Sequence, residues 1–346
     1  MTFQYFLCHL TQGTLHCGVM QHTPPAAAAG AATTTGATTA AAAAAALLAR
    51  FHRQRPLRAG SLIVTLFGDS IMPRGGAVSL GSLIQLALPF GLNERLVRTA
   101  AARLAHEGWV ETRRVGKRSE YRLTATGRAR FAEATERIYG AAGAPWSGRW
   151  TLLILPPMPS TARQRLRKEL AWQGFGELST GIFAHPQLRA GSFEGGTRPA
   201  ELPPRALLFD ADLTSPATPS FLIEAGWDLK ELGRRYRQFA ARFERVRLAL
   251  DAAPDPQTGF VLRTLLIHEY RRLHLRDPLL PERLLPAAWP GIRAAGLCRD
   301  IYARVFAASE AHLSAAGARL EGALPPADRS VLQRFGGIAP GSPGGA

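Results

Sequence analysis

The chain has 346 residues, 46% of them hydrophobic, with a net charge of +16 and a pI near 11.0. That length allows two or three domains with cores of their own, and the positive surplus points to a polyanionic partner, nucleic acid before acidic membrane. Three cysteines without a CxxC pair (Cys8, Cys17, Cys298) argue against a disulfide framework or zinc module, and no apolar run approaches the ~20 residues of a bilayer span, so a cytoplasmic protein is expected.

Residues 1–58 read as a low-complexity, disordered tail, or as sequence upstream of the true start. Pro24 to Ala46 is nearly all Ala, Thr and Gly, with too little to bury to offset ordering entropy. Ala41 to Arg50 nevertheless has helix propensity. A first domain is expected over 59–140. Ser61 to Ile71 is apolar with helical spacing, and Pro73-Arg74-Gly75-Gly76 breaks it. Ser79 caps a short helix, Leu80 to Leu88, and Asn93 caps another that runs to Glu107 and stops at Gly108. Trp109 to Arg114 and Glu120 to Leu123 read as strands around the turn Val115 to Arg118. A helix from Thr126 to Tyr139 leads into a Gly/Ala/Pro linker at 140–145.

The second domain, 146–225, mixes strands (Trp150 to Leu155, Glu177 to Ala184, Ala206 to Asp212) with a basic helix, Thr161 to Gln173. That mix predicts a small ferredoxin-like α+β unit. The third, 226–338, reads as all-helical: Asp228 to Leu250, Thr258 to Leu275 and Gly291 to Ala315, then an apolar island at Val331 to Ile338. It is expected to carry effector binding and dimerisation, with 339–346 a disordered end. The predicted fold class is α+β, opening on a winged helix-turn-helix.

The third helix carries the nucleic-acid signal. At 100° per residue, Leu96, Val97, Ala100, Ala101 and Leu104 share one face. Arg95, Arg98, Thr99, Ala102 and His106 share the opposite one, with Arg103 on the flank. Such a helix suits the major groove, where arginine and small residues reach base edges. Asn93 leaves N–H groups free at the helix start for a phosphate. The hairpin adds Arg113, Arg114, Lys117, Arg118 and Arg122, a basic wing for the DNA backbone or minor groove. Either element alone is more simply a solvated helix or a charged turn. Their order and adjacency favour double-stranded DNA.

The segments GSLIVTLFGDSIMPRGG, SLGSLIQLALPFGLNERLVRTAAARLAHEGWVETRRVGKRSEYRLT, WSGRWTLLILP, WQGFG, LLIHEYRRLHLRDPLLPERLLPAAWPG, LCRDIYARV and QRFGG closely resemble, in this order, the PaaX-type repressors of phenylacetic acid degradation. The resemblance covers about residues 60–338. It implies a non-enzymatic repressor that binds a palindrome-like operator as a homodimer and is released by phenylacetyl-CoA. It also implies a middle domain similar to the small CRISPR-associated integration nuclease. Glu120 departs from the pattern, which tends to an uncharged residue there, and an acid in the wing would trim phosphate affinity. The alternatives are a repressor of another aromatic pathway that senses a different acyl-CoA, or a metal-dependent nuclease. The nuclease reading lacks its anchor: Trp150 to Leu155 runs into Pro156-Pro157 with no strand-end aspartate.

The candidate effector residues are His268, Tyr270, Arg271, Arg272 and Trp289. Arginines suit the phosphates of CoA, and an indole can stack on an aromatic ring. His268-Glu269 opens like a zinc-protease helix, but Arg272 stands where the second histidine belongs. No metal or cofactor is expected. A plain alternative for 268–272 is a polar helix face with Glu269 paired to Arg271 or Arg272.

Overall fold

The computed structural model describes residues 39–54, 57–140, 146–186, 202–214 and 219–338. Most of the low-complexity segment, Cys8 and Cys17, most of the 140–145 linker and the 339–346 end lie outside the described residues.

The first finding is a correction. Residues 40–52 of the expected tail form helix α1, Ala40–His52, capped by Thr39, whose hydroxyl accepts from the Ala42 N–H. Ala43, Ala44, Leu47 and Phe51 recur at one-turn spacing and are buried, an amphipathic stripe. The composition hides this, because alanine is a weak core signal until a neighbouring helix approaches closely enough to cover it. Phe51 meets the His268 ring edge-on at 5.7 Å, and the His52 ring bonds the Phe90 carbonyl at 2.8 Å.

Helix α2, Ala59–Leu66, is buried on nearly every face, with Leu62, Ile63, Val64 and Leu66 in the core and Ser61 and Thr65 as its polar members. It runs into a π turn, Phe67–Ile71, that carries Asp69 into the interior. Gly75 and Gly76, both at positive φ, turn the chain into β1, Ala77–Ser79, a conformation that favours glycine. Then come α3 (Leu80–Ala87), α4 (Glu94–His106), β2 (Val110–Val115), β3 (Arg118–Leu123) and α5 (Ala125–Tyr139). The strands form an antiparallel sheet in the order β1-β3-β2, with Val78 opposite Tyr121 and Thr112 opposite Tyr121 on the other side. Three residues, Ala-Val-Ser, are too few to show alternation, so β1 is absent from the sequence expectation.

The middle region holds β4 (Arg149–Ile154), α6 (Ser160–Trp172), β5 (Gly176–Ser179), β6 (Ile182–His185) and β7 (Leu207–Asp212). The expected single strand Glu177 to Ala184 is two, folded at Thr180-Gly181, where Gly181 has φ +81. Strand order is β5-β6-β4-β7, antiparallel throughout. Helix α6 covers one face through Leu166 and Leu170, which pack with Leu153, Leu155, Phe175 and Phe183.

Helix α7, Ser220–Gly226, leads to three long helices, α8 (Leu229–Leu248), α9 (Pro256–His274) and α10 (Pro290–Ala316). Helix α9 is the centre of the region and is buried on nearly every face from Gly259 to Ile267. A short hairpin follows α10, β8 (Ala318–Arg319) with β9 (Gly322–Ala323), and then a 3-10 segment, Arg329–Gly336. Val331 and Ile338, from the predicted apolar island, are buried.

Candidate nucleic-acid interface and ligand clefts

Helix α4 buries Val97, Ala100, Ala101 and Leu104 and exposes Arg95, Arg98, Thr99, Ala102 and His106, with Arg103 half-buried on the flank. Leu96, expected in the core, is only partly covered. Asn93 caps the helix, its side-chain oxygen accepting from the Leu96 N–H at 3.0 Å. Arg98 donates to Glu94 one turn back at 2.6 Å, Arg103 donates to Glu107 at 2.9 Å, and the Thr99 hydroxyl donates to the Arg95 carbonyl at 2.8 Å. The hairpin is exposed from Glu111 through Arg118, so Arg113, Arg114, Lys117 and Arg118 all reach solvent beside α4.

Glu120, the departure noted in the sequence, does not sit on the outer face of the β2–β3 hairpin. Its carboxylate is buried, accepts from Arg122 and from the Leu320 N–H, both at 3.0 Å, and so joins that hairpin to the β8–β9 hairpin. Burial works to raise its pKa, but the Leu320 amide and Arg122 outweigh it and hold the group below the usual carboxylate range. Arg113 donates to Glu321 at 2.7 Å across the same junction. A hairpin of two-residue strands, far along the chain, leaves no sequence signal for this contact.

The five candidate effector residues are not brought to one cavity. His268 is fully buried, its Nδ1 3.2 Å from the Thr65 hydroxyl, and burial together with Arg271 and Arg272 drives its pKa well down. Tyr270 is buried with its hydroxyl 3.3 Å from His274 Nδ1. Arg271 points inward: Nε donates to the Thr65 hydroxyl at 2.8 Å, and Nη2 donates to the Ser61 carbonyl and hydroxyl, each at 2.7 Å. Burial pushes its pKa down to about 9. His268 and Arg271 hold α9 against α2 and Phe51, while Tyr270 packs against Phe239 of α8 and Phe335. The physical reason is that α9 lies inside the bundle, so polar residues on it meet other helices rather than solvent. Arg272 and Trp289 do line clefts, but different ones.

Trp289 packs edge-on against Tyr236 at 5.9 Å and stands between two clefts. One, of about 960 Å³, opens between the middle region and α8, with Phe175, Trp227, Leu229, Arg237 and Arg283 among its walls. The other, of about 930 Å³, lies on the far side of the loop 285–290 and shares Arg237. That loop holds Ala288 at φ +53, a left-handed conformation costing an L residue about 1–2 kcal/mol. Strain of this kind gathers at binding sites. Trp289, a candidate from the sequence, lines both clefts, as does Arg237, which looks in sequence like any exposed helix arginine until the two walls meet around it.

The chain belongs to the family of PaaX-type transcriptional repressors. The family's N-terminal model, "PaaX-like protein", matches residues 58–127, its "central Cas2-like domain" matches 143–223, and its "C-terminal domain" matches 227–315. The chain is 38% identical over 289 residues to the transcriptional repressor PaaX of Escherichia coli K12, covering 82% of this chain and 92% of that one. A solved structure of an uncharacterised Mycobacterium tuberculosis protein is 26% identical, covers 67% of this chain and 89% of that one, and superposes with a TM-score of 0.45.

If the hairpin tip rides on the DNA backbone, Lys117→Ala weakens operator and scrambled DNA about equally. It also lowers the slope of log affinity against log salt by roughly one. An unchanged slope across a salt titration would place the tip in solvent.

Proposed function

We propose that this protein is a cytoplasmic, DNA-binding repressor of phenylacetate (aromatic acid) catabolic genes that acts as a homodimer and is released by phenylacetyl-CoA. The observation that carries the reading is the exposed arginine face of α4 lying beside an exposed basic hairpin. Helix, short strand, helix, capped helix and hairpin follow one another in the order of a winged helix-turn-helix. The strand order β5-β6-β4-β7 supports a ferredoxin-like reading of the middle region. Similarity to a repressor favours a regulator over an enzyme, and none of the candidate residues needs a cofactor.

Residues 59–140 then form the DNA-binding unit, 146–225 a platform, and 226–338 the sensing and dimerisation region. The thioester has an apolar aryl end and a phosphate-rich end. The 960 Å³ cleft offers Trp227, Trp289 and Phe175 to the first and Arg237 and Arg283 to the second, a size and composition suited to such a ligand. Helix α10 starts at this cleft, beside Trp289, and its 27 residues lead directly into the β8–β9 hairpin that grips Glu120 and Arg113 of the wing. At ~1.5 Å per residue that is a lever of about 40 Å. For release, the ligand binds the state with a displaced wing more tightly than the DNA-bound state.

Calorimetry with phenylacetyl-CoA, phenylacetate and CoA tests this reading. The thioester is expected to bind at least tenfold more tightly than either part alone, and Arg237→Ala to weaken it about tenfold. Arg237 is exposed, so this variant keeps the fold. No heat from the thioester would remove the effector from the account.

A further inference from the structure

A third cleft, of about 300 Å³, lies on the opposite side of α8 from the one assigned to the thioester. At 100° per residue, Lys230, Gly233 and Arg237 of the thioester side fall on one face of α8, and Arg235 and Arg242 on the other. Six arginines from separate parts of the chain converge on this third cleft: Arg50 of α1, Arg58 just before α2, Arg235 and Arg242 of α8, Arg272 of α9 and Arg276 just after it. Among the described residues that line it, Glu269 is the only carboxylate.

Glu269 is already shared. It accepts from Arg242 Nη1 at 3.2 Å and from Gln54 Nε2 at 3.3 Å, and lies 3.8 Å from Arg272 Nη1. Arg235 is bonded through Nε to Glu231, at 2.7 Å. One carboxylate therefore faces Arg50, Arg242 and Arg272 together. The Arg242 and Arg272 side chains are only 21% and 26% exposed, so water screens their repulsion weakly. Burial lowers the pKa of Arg272 to about 10 against the pull of Glu269, and Arg58, Arg276 and Arg235 add to the lowering. A concave, part-buried surface with this excess of guanidinium charge concentrates anions. Guanidinium forks also bind phosphate oxygens bidentately.

We propose that this arginine cleft binds a compact polyphosphate, two or more linked phosphate groups such as those of pyrophosphate or a nucleoside diphosphate. The volume favours a small anion over duplex DNA, which needs a groove far larger than 300 Å³. A single phosphate would engage only part of an array drawn from four chain segments. The bound anion would join Arg50 and Arg58, which flank the entry to the DNA-binding unit, to the arginines of α8 and α9. It would thereby fix α1 on the helical region.

The test is calorimetry on the full-length protein with pyrophosphate, ADP, CoA and inorganic phosphate, without DNA. Pyrophosphate and ADP are expected to bind one to one, at least tenfold more tightly than phosphate. Arg242→Gln with Arg272→Gln should cut pyrophosphate affinity at least tenfold, and Arg272→Lys should retain part of it. Circular dichroism of each variant separates loss of binding from loss of fold. CoA binding that depends on Arg242 and Arg272 rather than Arg237 would support this anion site and contradict the placement of the thioester in the 960 Å³ cleft. The proposal is overturned if pyrophosphate gives no heat at millimolar concentration, or binds the double glutamine variant as well as the parent. It is equally overturned if that variant loses operator affinity tenfold with no anion present, which would make the cleft a DNA contact.

Discussion

Asp69→Ala is expected to destabilise the protein by about 3–5 kcal/mol, the usual consequence of stripping one partner from a buried charge cluster. The Asp69 carboxylate sits on the π turn after α2 and is fully enclosed. Its Oδ2 accepts from Arg263 Nε at 2.8 Å. Its Oδ1 accepts from Arg334 Nη1 at 2.7 Å and from the hydroxyls of Tyr139 and Tyr302 at 2.7 and 3.1 Å. Glu310 is the other acid of the cluster, bonded by Arg263 at 2.6 Å and by Arg74. Removing Asp69 leaves Arg334 buried with no carboxylate among the bonds described, and Arg263 with Glu310 alone. Five separate segments meet here: the π turn, the end of α5, α9, α10 and the C-terminal 3-10 segment.

Asp69→Asn, which keeps the shape, should cost nearly as much if charge is what matters. Burial alone would raise the pKa of Asp69, but Arg263 and Arg334 more than reverse it and hold it below 3.8. A depressed carboxylate pKa contributes stability that is complete above the unfolded pKa, near 4, and is lost as pH falls through the lower folded value. Urea unfolding should therefore show the wild-type advantage over Asp69→Asn shrinking only below about pH 4. A cost under 1 kcal/mol for Asp69→Ala at pH 7 would mean that the cluster does not hold the regions together.

Arg98→Ala is expected to weaken operator binding by about 1–3 kcal/mol, roughly 5- to 150-fold, if the guanidinium reads a base edge bidentately. In the free protein Arg98 is tied to Glu94, but both side chains are more than half exposed, at 56% and 57%. Such a pair is worth little, so the tie does not keep Arg98 from DNA. Scrambled DNA should lose much less affinity than operator, because a base contact discriminates and a phosphate contact does not. Anisotropy titrations on both DNAs measure the ratio. Equal losses on the two would make Arg98 a backbone contact.

What the sequence made legible was whatever obeys a local period. In α4 the apolar and arginine faces alternate cleanly, and Asn93 and Gly108 bracket the helix, so both faces could be assigned residue by residue. The basic hairpin announced itself through its glycine turn. Helix α9 broke the same method. Phe260 through Ile267 are buried all round, Arg263 and Thr264 included, and no period then separates His268 and Arg271 inside from Arg272 at the cleft. The packing of helix α1 was obscured by alanine, although its helix propensity was legible, and β1, β8 and β9 were obscured by brevity. The arginine cleft joins Arg50 to Arg276, and the Asp69 cluster joins Asp69 to Arg334. Contacts so distant along the chain arise from packing and carry no local signature.

The most direct measurement is fluorescence anisotropy of DNA taken from upstream of the phenylacetate genes, titrated with this protein and then with ligand. The account predicts salt-sensitive, sequence-preferring binding that phenylacetyl-CoA reverses and equal concentrations of phenylacetate or CoA do not. Binding with no preference over scrambled DNA, or specific binding that no aryl-CoA disturbs, would contradict it.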